Sequence, residues 1–98
     1  IETSKFRVRI DNLGNDNYRY ASWSIKQSMS EKPDLIITNG KWFHDGTGGN
    51  NHYDFKKGNY LYQCYITVLG TKDSAPANLT IYQNGKEILN QDAKIVPR

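Results

Sequence analysis

Gly58-Asn59-Tyr60-Leu61-Tyr62-Gln63-Cys64-Tyr65-Ile66-Thr67-Val68-Leu69-Gly70 is the stretch on which the fold turns. Side chains on a strand alternate between two faces, so Tyr60, Tyr62, Cys64, Ile66 and Val68 share one side. Leu61, Gln63, Tyr65, Thr67 and Leu69 share the other, more mixed side. β-branched and aromatic residues fill the run and a glycine stands at each end, which predicts a long, well-flanked strand of an antiparallel β protein.

The segments around it repeat the pattern. Lys5–Ile10 alternates strictly, with Phe6, Val8 and Ile10 inward and Lys5, Arg7 and Arg9 as a basic stripe outward. Residues 12–17 carry turn chemistry, because Asn, Asp and Gly tolerate positive φ. In Tyr18–Gln27, the face holding Ala21, Trp23 and Ile25 reads as the core side, which leaves Tyr18 and Tyr20 outward. Two Asn-Gly pairs predict two-residue hairpins. Asn39-Gly40 would set Ile37 against Trp42, and Asn84-Gly85 would set Ile81 against Ile88. Residues 45–52 and 71–77 read as loops, Tyr53–Phe55 as a short strand and Ala93–Val96 as a last edge strand. The expectation is one all-β domain over residues 1–98: an antiparallel two-sheet sandwich of seven to nine strands, with a small barrel as the alternative.

Tyr62-x-Cys64, with Trp23 on an earlier strand, resembles the core signature of immunoglobulin-like domains. Val8 or Ile10 stands where that family places its first cysteine. The resemblance implies a β-sandwich in which Trp23 and Cys64 meet between the sheets, and a scaffold that hosts many unrelated functions.

Composition narrows the function. Thirteen Lys and Arg against ten Asp and Glu give a net charge of +3 in 98 residues, a mild excess with little clustering. The expectation is therefore a domain without a nucleic-acid partner. The longest apolar run is Leu35-Ile36-Ile37, far short of a membrane span, so no membrane insertion is expected. A single cysteine cannot close an internal disulfide, and Cys64 reads as a small buried hydrophobe. The start at Ile1, and a composition rich in Tyr, Asn, Gly and Thr, suggest a secreted or periplasmic domain.

No nucleophile, acid–base or phosphate-loop motif is present, so the chain reads as not an enzyme and without cofactors. His44, Asp45, His52 and Asp54 bracket a Gly-rich loop, but their spacing matches no metal pattern and no metal site is expected. Loops on a rigid sheet carry binding. The expected contact residues are Trp42, His44, Asp45 and His52 beside that loop, then Tyr18, Arg19 and Tyr20 on an outward strand face. The expected function is non-catalytic protein binding of the inhibitor, immunity or adhesin-accessory kind. The alternatives are a carbohydrate-binding module, with a glycan as partner, or a structural module of a larger surface protein.

Overall fold

A computed structural model of the chain describes residues 1–45, 49–68 and 74–96. Its strands are β1 (Phe6–Asn12), β2 (Tyr18–Ser24), β3 (Leu35–His44), β4 (Asn51–Lys57), β5 (Tyr60–Ile66), β6 (Ala77–Gln83) and β7 (Lys86–Ala93). They hydrogen-bond in chain order into one antiparallel sheet. The all-β expectation and the lower strand count hold. The second sheet of a sandwich is not shown among the described residues; the single sheet curls into a half-barrel instead. Leu69-Gly70 and parts of both predicted long loops lie outside the described residues.

The curl begins in β3, where the predicted Asn39-Gly40 hairpin is not formed. Ile37 does not meet Trp42, because β3 runs straight through the pair. A two-residue type I′ turn needs positive φ at both central residues. Asn39 has φ 62°, but Gly40 stays outside the left-handed region. The result is a bulge: Tyr18 and Tyr20 lie two apart on β2, while their partners Gly40 and Ile37 lie three apart on β3. Such an extra residue bends the strand and strengthens its twist. Up to Gly40, β3 pairs with β2; Lys41–His44 then pair with β4.

The second Asn-Gly pair behaves as predicted. Asn84 and Gly85 have φ 53° and 78°, and Gln83 faces Lys86 across the turn. Ile88 is taken up in a bulge, so Ile81 meets Leu89 rather than Ile88. The Ala93–Val96 edge strand is reduced to a single bridge. Lys94 pairs with Glu2, and the two backbones exchange hydrogen bonds of 2.9 Å in each direction. Glu2 also bridges Arg7, so the first residues tie β1 to the end of β7. The end of the last strand thus meets the start of the first, the stagger that a closing sheet requires.

The concave face carries the core: Val8, Tyr20, Ile37, Phe55, Cys64, Leu79 and Ile81. Tyr20 packs its ring 5.3 Å from both Phe55 and Tyr62. Tyr18 meets Tyr53 edge-on at 5.1 Å. The two faces of β2 are therefore the reverse of the sequence expectation. Trp23 is buried, but on the convex side, beneath the β2–β3 connection and away from Cys64. Its indole N–H donates to the Glu31 carbonyl at 2.8 Å, and the Arg9 guanidinium lies 5.3 Å from its ring. The physical reason is the tyrosines: five of the seven belong to the core or pack against it. A curled sheet needs large rings to fill its concavity, and Tyr supplies them while its hydroxyl reaches the rim.

Candidate functional site

The β3–β4 hairpin projects beyond β2. Opposite Lys41–His44 stand Asp54, Tyr53, His52 and Asn51 of β4, and β2 reaches no farther than Gly40. Alternation then places Trp42 and His44 on one face of the projection and Phe43 on the other. Trp42 and Phe43 stay 42% and 45% exposed, unusual for side chains of their size on adjacent positions. That pair of exposed rings marks the place.

On the convex face, Phe43, His52 and Tyr65 occupy neighbouring positions on β3, β4 and β5. Phe43 stacks on His52 at 5.1 Å with ring planes 19° apart, and His52 lies 5.0 Å from Tyr65. The histidine stands between two carboxylates and hydrogen-bonds one of them. Nδ1 lies 2.7 Å from Asp45 Oδ2, and Nε2 lies 3.5 Å from Asp54 Oδ1. A carboxylate can only accept, so Nδ1 carries the proton that Asp45 receives. Asp45 in turn donates its backbone N–H to the Asn50 carbonyl at 2.7 Å, which anchors both ends of the hairpin loop. Gln63 donates to Asp54 at 3.0 Å and accepts from the Tyr65 hydroxyl at 2.9 Å. Burial, followed by the nearby Tyr82, Asp54 and Asp45, raises the Tyr65 pKa, so its hydroxyl remains a donor.

On the concave side, Trp42 meets His44 edge-on at 5.5 Å, and its indole N–H donates to Asn51 Oδ1 at 3.1 Å. Asn51 donates onward to the Gly49 carbonyl at 2.9 Å. The described ends of the loop therefore carry side-chain hydrogen bonds on both faces.

The expected contact residues divide into two groups. Trp42, His44, Asp45 and His52 come together on one hairpin, as Trp42–His44 and Asp45–His52 pairs on its opposite faces. Tyr18, Arg19 and Tyr20 do not form a surface. Tyr20 is only 2% exposed and Tyr18 turns inward with Tyr53. Arg19 lies on the convex side, held to Asp11 at 2.9 Å. Arg9 reaches the same carboxylate at 3.1 Å, and Arg7 lies 3.3 Å from Glu2, so both arginines of the basic stripe are engaged by a carboxylate.

Sequence reasoning missed Phe43 and Asn51, and it did not join Asp54, Gln63 and Tyr65 to His52 in one cluster. Their signal was the period-two pattern across β3, β4 and β5, hidden by the misplaced turn at Asn39-Gly40. Among the described residues, no group of three or more His, Cys, Asp or Glu is arranged to hold a metal ion. No helix of the described residues is long and apolar enough to cross a membrane. Compared with protein-family models, curated proteins and solved structures, the chain matches none.

Proposed function

We propose that the protein is a non-catalytic binding domain that grips a polypeptide partner with the projecting end of the β3–β4 hairpin. One observation carries this reading: Trp42 and Phe43 stand exposed on opposite faces of a strand segment that pairs only with β4. Aromatic side chains offer large contact area for little lost entropy, and contact energy concentrates in such anchors. The Asp45–His52 and Trp42–Asn51 hydrogen bonds hold the anchors in place before a partner arrives, which lowers the cost of ordering them. Action outside the cytoplasm belongs to the same proposal and rests on composition alone.

A glycan is the weaker occupant, for a geometric reason. Sugars stack on exposed ring faces, and in the Phe43–His52–Tyr65 row each ring covers its neighbour. A photo-crosslinking residue placed at Trp42 or Phe43 tests the proposal, with Leu61 as the control site. The expected result is one polypeptide crosslinked from positions 42 and 43 and not from 61. With that polypeptide purified, Trp42→Ala and Phe43→Ala should each weaken binding by about thirtyfold or more, a loss of ~2 kcal/mol. Unchanged binding by both variants would remove the hairpin from the contact.

A further inference from the structure

The concave side of the curled sheet holds a half-open cavity of about 680 Å³. Small-molecule sites run from about 300 to 1,000 Å³, so the space is of ligand size. Its walls among the described residues include Val8, Ile10, Tyr18, Tyr53, Ile66 and Val96. It lies on the concave side, on the opposite face from Phe43 and His52, and Tyr53 of β4 is the wall residue that stands opposite Trp42.

Three features define what fits. The first is the wall itself, which is aliphatic and aromatic and favours an apolar body. The second is charge. Ile1, Glu2, Arg7 and Arg9 also border the cavity, and the Ile1 ammonium donates to the Val8 carbonyl at 2.7 Å. Arg7 is already engaged by Glu2 at 3.3 Å and donates to the Gln27 carbonyl at 3.2 Å, and Arg9 is engaged by Asp11 at 3.1 Å. An anionic ligand would have to displace the Val8 carbonyl or a carboxylate from these cations, and a cationic one would have to displace an arginine from its carboxylate, and either is costly. The third is the Tyr18–Tyr53 pair. Their rings meet edge-on at 5.1 Å, and neither hydroxyl takes part in a hydrogen bond among the described residues. Burial, then the neighbouring Tyr18 and Cys64, raises the Tyr53 pKa and keeps that hydroxyl a donor. A polar group beside an apolar wall fixes the orientation of a ligand that offers it one partner.

We propose that this cavity is a second binding site, which takes one uncharged molecule with an apolar body and a hydrogen-bonding oxygen received by Tyr18 and Tyr53. Naphthol, naphthalene and naphthalenesulfonate serve as probes: the same rings with a hydroxyl, with nothing and with a fixed charge. Fluorescence titration of the whole chain should rank them in that order. Changing Tyr18→Phe and Tyr53→Phe together should weaken naphthol by about tenfold or more, the size of one to two lost hydrogen bonds, and leave naphthalene unchanged. Ile66→Trp should fill the space and abolish binding of all three probes in a protein that still melts cooperatively. If Ile66→Trp does not fold, the tyrosine pair decides alone. The proposal is overturned if no probe binds, if naphthalenesulfonate binds as well as naphthol, or if the tyrosine changes leave naphthol affinity as it was.

Discussion

Gly40 lies against the ring of Phe55 with no room between them for a methyl group. A Cβ at this position would overlap the Cδ1 and Cε1 side of the ring and come within 3.0 Å of the Tyr18 carbonyl oxygen. Phe55 is wholly buried and pinned by Tyr20, so the ring cannot yield. This contact explains why Asn39-Gly40 is a bend in a strand rather than a hairpin. The glycine is required for close approach, and the sheet curls around it.

Gly40→Ala should therefore destabilise the fold by about 1–3 kcal/mol, the usual cost of overpacking a core. Denaturant unfolding should show a lower midpoint with an unchanged slope. Adding Phe55→Leu should recover part of the loss, although Phe55→Leu alone is destabilising. Gly40→Ala at wild-type stability would mean that the ring and the glycine are not in contact.

Trp23 and Cys64 are both buried, yet on opposite faces of the sheet. Trp23→Ala should cost roughly 3–5 kcal/mol, as for other large buried aromatics. Trp23→Phe should cost less, since it keeps most of the ring and loses the hydrogen bond to Glu31, worth about 1 kcal/mol. Because the two sites share no partner, Trp23→Phe and Cys64→Ala should add to within about 0.5 kcal/mol. Strong coupling in a double-mutant cycle would instead place the two residues in one core.

Burial pushes the Cys64 thiol up from 9.0 to about 12, with the nearby amino terminus opposing the shift and Asp54 adding to it. The folded state thus holds its proton where the unfolded chain releases it. Stability should be level below about pH 9 and fall from there toward pH 12, since the folded form then binds more protons than the unfolded one. Tyr20, also raised by burial and then by Cys64, adds to the same alkaline loss. Cys64→Ala should flatten the first part of the decline in a pH series of unfolding curves. In the native protein at neutral pH, thiol reagents should react with Cys64 only after unfolding.

How far the sequence could be read depended on whether local chemistry or distant packing decided each element. Asn84-Gly85 was legible because the turn is complete within two residues, both free to take positive φ. Asn39-Gly40 carries the same letters, but Phe55, fifteen positions later, sets its geometry, and no local pattern reports that. The alternation in β1 and β5 put Phe6, Val8, Ile10, Tyr62 and Cys64 on the correct face. In β2 it offered two amphipathic faces of similar weight. The choice fell to how many large rings the curled sheet needs, a property of the whole fold. The hairpin cluster was half legible for the same reason: Asp45 and His52 flank a visible loop, whereas Phe43 and Tyr65 join them only once β3, β4 and β5 are in register.

Asp11 receives both Arg9 and Arg19 on the convex side of β1 and β2, with Arg19 directly opposite in register. Burial alone would raise its pKa from 3.8, but the Arg19 hydrogen bond and the Arg9 charge outweigh it and the net shift is downward. A carboxylate with a depressed folded pKa stabilises the fold above its unfolded value. That contribution is lost as pH falls from about 3.8 through the folded value. Asp11→Asn should therefore cost stability at neutral pH, by about 0.2–1 kcal/mol per partly exposed arginine contact. The wild type and the variant should then converge as the pH is lowered below 3.8. High salt at neutral pH should narrow the gap in the same direction, because the arginines are partly exposed and screening reaches them. A gap that stayed constant from pH 7 to acid would show that Asp11 acts through packing and not through its charge.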